Sequence, residues 1–578
     1  MNTYEAPVDR IMQAMRTVGL ADLLALPAYA DLDEAAVRDV VAGFGRLASE
    51  VIAPTDRIGD VQGAVLDTAT GRVVVPAELA HAHAEFAKGG WTSLSAPAEL
   101  GGGGFPQVVA TATQEMFGSA NLALSLNPVL TQSAIELLER WGDERQQRLF
   151  LARLLDGTWT GTMNLTEPDA GSDVGAVRTT ATPLDDGRWA ISGTKIYITW
   201  GEHDLTDNIV HLVLARTPGA PAGTRGISLF LVPKVMVDDA GRLGERNGVR
   251  VDSLEHKLGI HASPTCVLSF DGAIGEMVGP EFGGMAAMFS MMNPARLAIG
   301  VQGFAIGERA YQQAYTFAHE RRQGRAPGAT GDESSPIVDH PDVQRMLASI
   351  ATLVDAARLL VFATAVAADV AKHHPDEAVR AAAQRRVDLF TPLAKAWSTD
   401  VGVTVASTAV QVFGGMGFVE ETGIAQRYRD ARIAPIYEGT NGIQAIDLVG
   451  RKVGRDGGAA MGELLAEVSA TVAAASEVEG LRSVADALAT AQATLATATE
   501  WVVATQRAAM ADVLAGATAY LELASVVAAG HLLIRQALLG SSLDTARAQL
   551  FAVEQLDRWR SAERIAFGAS TIAAAIGR

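Results

Sequence analysis

The chain predicts an α+β protein whose strands are confined to the middle of the sequence. Residues 1–158 repeat apolar side chains at three- and four-residue spacing, as in "DEAAVRDVVAGFGRLASEVI". Near Thr158 the texture changes to short apolar runs with strand-forming residues, which continue to about Gly279. Helical texture then returns and persists to the end of the chain. A dinucleotide-binding βαβ fold alternates strands and helices throughout, so the order helical, β, helical, helical excludes it.

Each region has its own justification. In the N-terminal helical domain, residues 1–158, "PAELGGGGFP" reads as a flexible break between helices, because four glycines do not hold a helix. The middle β domain, residues 159–283, opens with "VRTTATPLDDGRWAISGTKIYITWG", two β-rich runs joined by an Asp-Asp-Gly hairpin signal. "NIVHLVLAR", "GISLFLVPKV" and "PTCVLSFDG" continue it as short strands. Residues 284–454 form a helical bundle domain, beginning near "PARLAIGVQGFAIGERAYQQAYTFAHERRQ". Residues 455–578 are rich in Ala, Leu and Val. The periodicity of "LLIRQALLGSSLDTARAQLFAVEQLDRW" predicts packed helices there, not a disordered tail.

At 578 residues the chain exceeds a single ordinary core, and 48% apolar with 20% charged residues is a globular composition. A net charge of −19 with no Lys/Arg block argues against nucleic acid or an anionic membrane surface as partner. The single cysteine, Cys266, excludes an internal disulfide framework and fits a reducing compartment; "SPTCVLSF" reads as a strand with a core thiol. No His-Glu-x-x-His or comparable spacing occurs, so no metal is expected. The N-terminus lacks an apolar signal core. The longest uncharged run, Met116–Ile135, is interrupted by Asn121, Asn127, Pro128 and Gln132. A cytoplasmic protein without membrane insertion is expected.

Three ordered stretches carry a resemblance. "NLTEPDAGSDVGA" (164–176), "GTKIYITWG" (193–201) and "AVQVFGGMGFVEETGIAQRYRDARIAPIYEGTNGIQ" (409–444) resemble the signatures of the acyl-CoA dehydrogenase family, in the family's order and over roughly residues 35–450. The resemblance implies that family's fold: a helical N-terminal domain, a β-barrel-like middle domain and a helical bundle, here with an extra helical C-terminal domain. The loop "RRQGRAPGATGDESSPIVDHP" and the extension look like a long bacterial subgroup, with members acting on 3-methylthiopropanoyl-CoA or on a broad range of fatty acyl-CoAs. The implied cofactor is FAD and the implied reaction removes the α-hydrogen of an acyl-CoA as a proton and the β-hydrogen as a hydride, giving a trans-2-enoyl-CoA. Such a carbon acid needs a placed base and stabilisation of the enolate oxygen.

By resemblance the base is Glu438. Another branch places it on the helix containing "NPAR", where this chain has Ala295, which accepts no proton. Met163, Leu165, Thr166, Gly171 and Ser172 match the segment along the isoalloxazine edge. Tyr197 and Thr199 match the strand whose threonine hydroxyl bonds to the flavin, although "KIYIT" alone is an ordinary strand sequence. Arg321, Gln411, Gly414 and Gly415 match the pyrophosphate and adenosine contacts made to a neighbouring subunit's flavin, which implies a homodimer. Thr440 matches a further flavin contact. Ser172, Asn293 and Arg296 match substrate contacts. Three positions depart from the family: Asn293 replaces an acidic residue, Gln323 a phenylalanine and Gly442 a glutamine. An electron-transfer flavoprotein is the implied acceptor.

Some features have two readings. Met285, Met288, Met291 and Met292 either line an acyl tunnel or fill core, the commoner use of methionine. His256 and His261 lie near positions able to meet CoA phosphates, but surface histidines are the commoner reading. A flavin-bearing nucleic-acid-binding relative is the alternative class. It requires a basic helix face, and Arg535, Arg547, Arg558, Arg560 and Arg564 are instead interleaved with Asp544, Glu554, Asp557 and Glu563.

Overall fold

A computed structural model describes residues 4–330, 332–559 and 569–575, with the side chain of Asn293 outside the description. Arg560, Glu563 and Arg564 also lie outside the described residues. The chain forms two compact units: Met1–Arg46 with Pro106–Ser119 and Arg296–Arg578, and Leu47–Phe105 with Ala120–Ala295. In chain order the principal helices are α1 (Val8–Thr17), α2 (Gln107–Ala120), α3 (Leu122–Trp141), α4 (Gly284–Glu320), α5 (Pro341–His373), α6 (Glu377–Val412), α7 (Ile424–Ala431) and α8 (Asn441–Asp447). The extension adds α9 (Ala459–Ser476), α10 (Arg482–Thr505), α11 (Met510–Leu539) and α12 (Ser542–Glu554).

The sheet unit is built on β1 (Trp159–Asn164), β2 (Thr180–Pro183), β3 (Trp189–Thr199), β4 (Asn208–Ala215), β5 (Ser228–Pro233), β6 (Val249–Leu254) and β7 (Thr265–Val278). These seven strands run in the order β1-β4-β5-β7-β3-β2, with β6 also on β7. Only β1 and β4 pair in parallel; the remaining pairs are antiparallel. The long β7 serves three neighbours, pairing with β6 over Cys266–Phe270, with β3 over Thr265–Gly275 and with β5 over Glu276–Val278. Beyond the ladder, Ala181 N donates to Arg216 O at 2.8 Å and Arg216 N to Thr179 O at 2.9 Å. These two bonds return the last strand to the end of β4 and give the expected barrel-like closure.

Local chemistry explains several elements. The Asp-Asp-Gly hairpin joins β2 to β3, with Gly187 at φ +84° and Leu184 N bonded to Arg188 O at 2.8 Å. Asn121 caps α3 by accepting from Leu124 N at 3.0 Å. Trp159 to Asn164 are buried at every position of β1, as befits a strand covered on both faces. Cys266 is a buried core thiol on β7, pushed up to about 12 by desolvation.

One expectation is overturned. The four-glycine stretch is no flexible break: Gly103 N bonds to Ser93 O at 2.9 Å, Gly104 N to Ala96 O at 3.0 Å and Phe105 N to Leu94 O at 3.0 Å. A Cβ on Gly102 would lie 2.2 Å from Ala96 O. Gly102 and Gly103 are there for close backbone approach and Gly101 and Gly104 for their positive φ, and the loop they build is tightly bonded.

The helical unit packs α5 against α6 and buries nearly every residue of the middle of both. The extension folds as packed helices in this same unit: Tyr520 and Thr499 hydroxyls bond at 2.8 Å, and Arg385 of α6 pairs with Glu463 of α9 at 2.6 Å. Asp544 on α12 accepts from Arg10 at 3.2 Å and Gln13 at 2.8 Å on α1. α5 and α11 have the length and apolarity of a membrane span, which a search for uncharged runs passes over. The most apolar windows of these helices are 94% and 72% buried within the fold.

Candidate active site

The segment carrying the proposed base lies between α7 and α8. Ile433 O accepts from Ile436 N at 2.8 Å and Tyr437 N at 3.2 Å, a tight turn that Asn441 N closes onto Pro435 O at 3.0 Å. Glu438 then adopts φ +53° and Gly439 φ +84°. A non-glycine residue in the left-handed region costs on the order of 1–3 kcal/mol and persists where its surroundings over-determine it. Two such residues in succession reverse the chain just before the N-cap Thr440, whose hydroxyl accepts from Ile443 N at 3.2 Å. The positive φ favours glycine at 439; a Cβ there would also press on Gln444 Nε2 at 2.9 Å, the movable end of a side chain.

Glu438 is half-buried by surface area, yet its carboxyl is enclosed by enough protein that desolvation raises its pKa. Arg296 and Lys395 oppose that rise. Of the apolar residues just before it, Ala434 is buried, whereas Ile436 is 49% exposed. Arg296 is buried on α4, and desolvation lowers its pKa against the pull of Asp447 and Glu438. Tyr437 hydroxyl donates to Gln302 Oε1 on α4.

Sequence reasoning missed Lys395. It is fully buried on α6, and its Nζ donates to Gly439 O at 2.9 Å and Asn441 Oδ1 at 3.0 Å. Asn441 also donates to Ala396 O at 3.0 Å, Thr399 Oγ1 at 3.0 Å and Asp400 Oδ1 at 2.9 Å. The available signal was a lone cation inside the apolar run "TPLAKAW".

The pyrophosphate candidates gather at another end of the helical unit. Phe317 near the end of α4 stacks on Phe413 just after α6, with ring centroids 4.0 Å apart. This contact brings Arg321 to the same end of the bundle as Gln411, Gly414 and Gly415, all four exposed. Gly414 has φ +59°, and a Cβ on Gly414 or Gly415 would meet nothing within 4 Å. These glycines are open to a ligand and do not serve packing.

In the sheet unit, Ile196 N donates to Thr166 O at 2.9 Å, and Lys195 Nζ donates to Leu165 O at 3.0 Å and Glu167 Oε1 at 2.8 Å. Glu167 in turn accepts from Arg178 N at 2.6 Å and from Thr179 Oγ1 at 2.5 Å. These bonds place Met163, Leu165 and Thr166 beside Tyr197 and Thr199. Met163 is buried, Leu165, Thr166 and Thr199 are half-buried, and Gly171 and Ser172 are exposed with open space over Gly171. Tyr197 is not ordinary strand: the register shifts between Cys266 and Leu268, and Tyr197 at φ +59° is the bulged residue, 59% exposed. Trp200, at φ +52°, is buried and its Nε1 donates to Ala123 O at 3.2 Å. The arrangement of half-exposed hydroxyls, an everted aromatic ring and glycines free of neighbours fits a flat heteroaromatic group with a phosphate tail. FAD is consistent with the residues present.

The methionines take the core role: Met288 and Met291 are fully buried in the cluster with Leu137, Leu154 and Leu212, and Met285 and Met292 pack against it. His256 is exposed and His261 pairs with Asp60 at 3.0 Å. Among the described residues no group of three or more His, Cys, Asp or Glu could hold a metal ion.

Comparison with known proteins agrees along the chain. Residues 60–158, 162–273 and 283–453 match the acyl-CoA dehydrogenase N-terminal, middle and C-terminal domain families, and 464–558 match the acetyl-CoA dehydrogenase C-terminal-like family. The 3-methylmercaptopropionyl-CoA dehydrogenase of Ruegeria pomeroyi is 47% identical over 91% of this chain and 90% of its own. The broad-specificity linear acyl-CoA dehydrogenase FadE5 of Mycobacterium tuberculosis is 36% identical over 81% and 78%. The fold matches Caenorhabditis elegans ACDH-11 in complex with C11-CoA at a TM-score of 0.80, with 22% identity over 100% of this chain and 96% of that one. An acyl-CoA dehydrogenase of Bacillus anthracis complexed with FAD matches at 0.73, with 21% identity over 93% and 88%. The chain belongs to the acyl-CoA dehydrogenase family, FAD-dependent oxidoreductases of acyl-CoA thioesters.

Proposed function

We propose that Glu438 is the base that removes the α-proton of the acyl-CoA. The observation that carries this is its conformation: a desolvated carboxylate held in a left-handed turn, with Arg296 and Lys395 as the nearby cations. A raised pKa makes the carboxylate a stronger base than a free glutamate. Desolvation also makes proton acceptance relieve a buried charge.

FAD, when bound, supplies the acceptor for the β-hydride. Met163, Leu165, Thr166, Gly171, Ser172, Tyr197, Thr199 and Thr440 are the residues that would hold its ring and ribityl chain. Arg321, Gln411, Gly414 and Gly415 would hold the pyrophosphate and adenosine of a neighbouring subunit's cofactor, making the working form a homodimer. Arg296, Ser172 and Asn293 would meet the substrate. The side chain of Asn293 lies outside the described residues, so its part rests on the sequence match alone. We also read the chain as four domains, 1–158, 159–283, 284–454 and 455–578, located in the cytoplasm, serving fatty acid β-oxidation and passing electrons to an electron-transfer flavoprotein.

The substrate reading favoured by the 47% relative is a short thioether acyl-CoA, 3-methylthiopropanoyl-CoA. Anaerobic titration of the holoenzyme with acyl-CoAs of increasing length, including the thioether, should bleach the flavin absorbance most readily with the preferred chain. Glu438→Gln should abolish that bleaching; full bleaching by the variant would remove Glu438 from the role.

A further inference from the structure

Lys395 raises a question the family assignment does not answer. A fully buried ammonium is costly in apolar surroundings and is retained only where its charge or its donors are used. Its two acceptors, Gly439 O at 2.9 Å and Asn441 Oδ1 at 3.0 Å, lie one and three residues after Glu438. Its donors therefore close on the turn that carries the base, from the helix opposite.

We infer that Lys395 is a positioning residue for Glu438, holding the left-handed turn through the Gly439 carbonyl and Asn441 and supplying a positive charge that favours the ionised base. This rests on the reading of Glu438 as the base.

The geometry supports both halves. The orientation of the Gly439 carbonyl fixes the peptide plane that follows two successive positive-φ residues, Glu438 and Gly439. Gln444 Nε2 reaches the Glu438 and Gly439 carbonyls only at 3.4 and 3.5 Å, so Lys395 makes the shorter contact. Asn441 is itself tied to α6 by its bonds to Ala396, Thr399 and Asp400, which makes the lysine and the asparagine one brace. The charged groups acting on Glu438 are Arg296 from α4 and Lys395 from α6; those acting on Lys395 are Glu438, Asp400 and Arg296. Desolvation pulls Lys395 down to about 8, still leaving it mainly protonated at neutral pH. Asp400, on the same helix, is pushed up by burial.

The test is the rate of anaerobic flavin bleaching by butyryl-CoA against pH, for the holoenzyme and for Lys395→Met, Lys395→Gln and Glu438→Gln. Lys395→Met should slow bleaching roughly a hundredfold, the penalty of about an ångström of misplacement, and should move the acid limb of the profile to higher pH. Lys395→Gln keeps a donor for the Gly439 carbonyl without the charge. It should recover part of the rate while the acid limb stays displaced. A purely structural lysine would lower the amount of holoenzyme without moving the limb. If both lysine variants carry flavin and bleach at the native rate with a coincident acid limb, the inference is overturned. If neither retains flavin, Asn441→Ala takes their place: slowed bleaching at unchanged substrate affinity supports the brace, and a native rate overturns it. A Glu438→Gln variant that still bleaches fully defeats the base itself. A dead Glu438→Gln beside native-like lysine variants defeats only the positioning role.

Discussion

The centre of the helical unit and the space behind β1 bury polar groups by opposite means, although the sheet unit buries ion pairs elsewhere, such as Lys195 with Glu167 at 2.8 Å. The helical unit buries charge: Arg358 is 1% exposed and donates to Glu115 at 2.7 Å, Glu308 at 2.8 Å and Asp355 at 2.7 Å, while Asp355 also receives Arg10 and Arg547. Behind β1, the sheet unit buries neutral rings. His203 takes Leu205 N on its Nδ1 at 3.2 Å and so donates from Nε2 to the Thr160 hydroxyl at 2.9 Å. His211 Nδ1 shares a 2.8 Å bond with Thr162, and His83 one of 3.3 Å with Asn127. Long-range ion pairs between helices fix which helices meet, because a charge left alone in the interior is far more costly than a mismatched apolar contact. A strand already has its partners fixed by the ladder, and uncharged bonds suffice to fill the space behind it.

The contrast can be broken at several points. The largest effect should come from Arg358→Met, which leaves three buried carboxylates without their shared cation. It should cost about 3–5 kcal/mol in denaturant unfolding, and a loss below about 1 kcal/mol would mean the cluster is solvated. Acidification comes next and should act on the buried histidines and the buried carboxylates in opposite directions. Burial holds His83 down to about 4 and His211 to about 3. Their neutral forms therefore contribute stability above the unfolded value near 6.5, which is lost as pH falls towards those lower values. For His83 alone this is roughly 2 kcal/mol by about pH 5. Burial raises Glu115 to about 7 and Asp369 to about 6, so their contribution is full below the ordinary carboxylate range and is lost as pH rises. Segment-resolved amide exchange, corrected for intrinsic rates, should show the segments around His83, His211 and His531 loosening on acidification before those around Glu115 and Asp369; uniform loosening would erase the distinction. Thr162→Val removes the partner of His211 and should cost about 1–2 kcal/mol, visible as a lower Tm. Arg385→Ala, at a half-exposed pair, should change stability by less than about 1 kcal/mol.

What the sequence disclosed follows from the range of each interaction. The Asp-Asp-Gly hairpin and the packed extension were legible because their signals lie within a few residues. The bulge at Tyr197 was not, since "KIYIT" alternates as a regular strand does and the shift is imposed by its pairing with Cys266–Leu268. The four glycines misled because composition reports freedom, whereas Ser93, Leu94 and Ala96 supply the acceptors that remove it. Lys395 and Arg358 were invisible as functional partners because Gly439, Glu115 and Glu308 are remote in sequence. The family was legible through motif order; the contacts of Lys395 with Gly439 and Asn441 have no local motif.

The length of one helix has a consequence for what its two ends can touch. Between Arg296 and Arg321, α4 and its end run about 37 Å at ~1.5 Å per residue, longer than an extended flavin dinucleotide. A guanidinium at the far end of such a rod cannot reach the tail of a cofactor whose ring lies beside the near end. If both arginines meet ligands, they meet them at places about 37 Å apart along one helix.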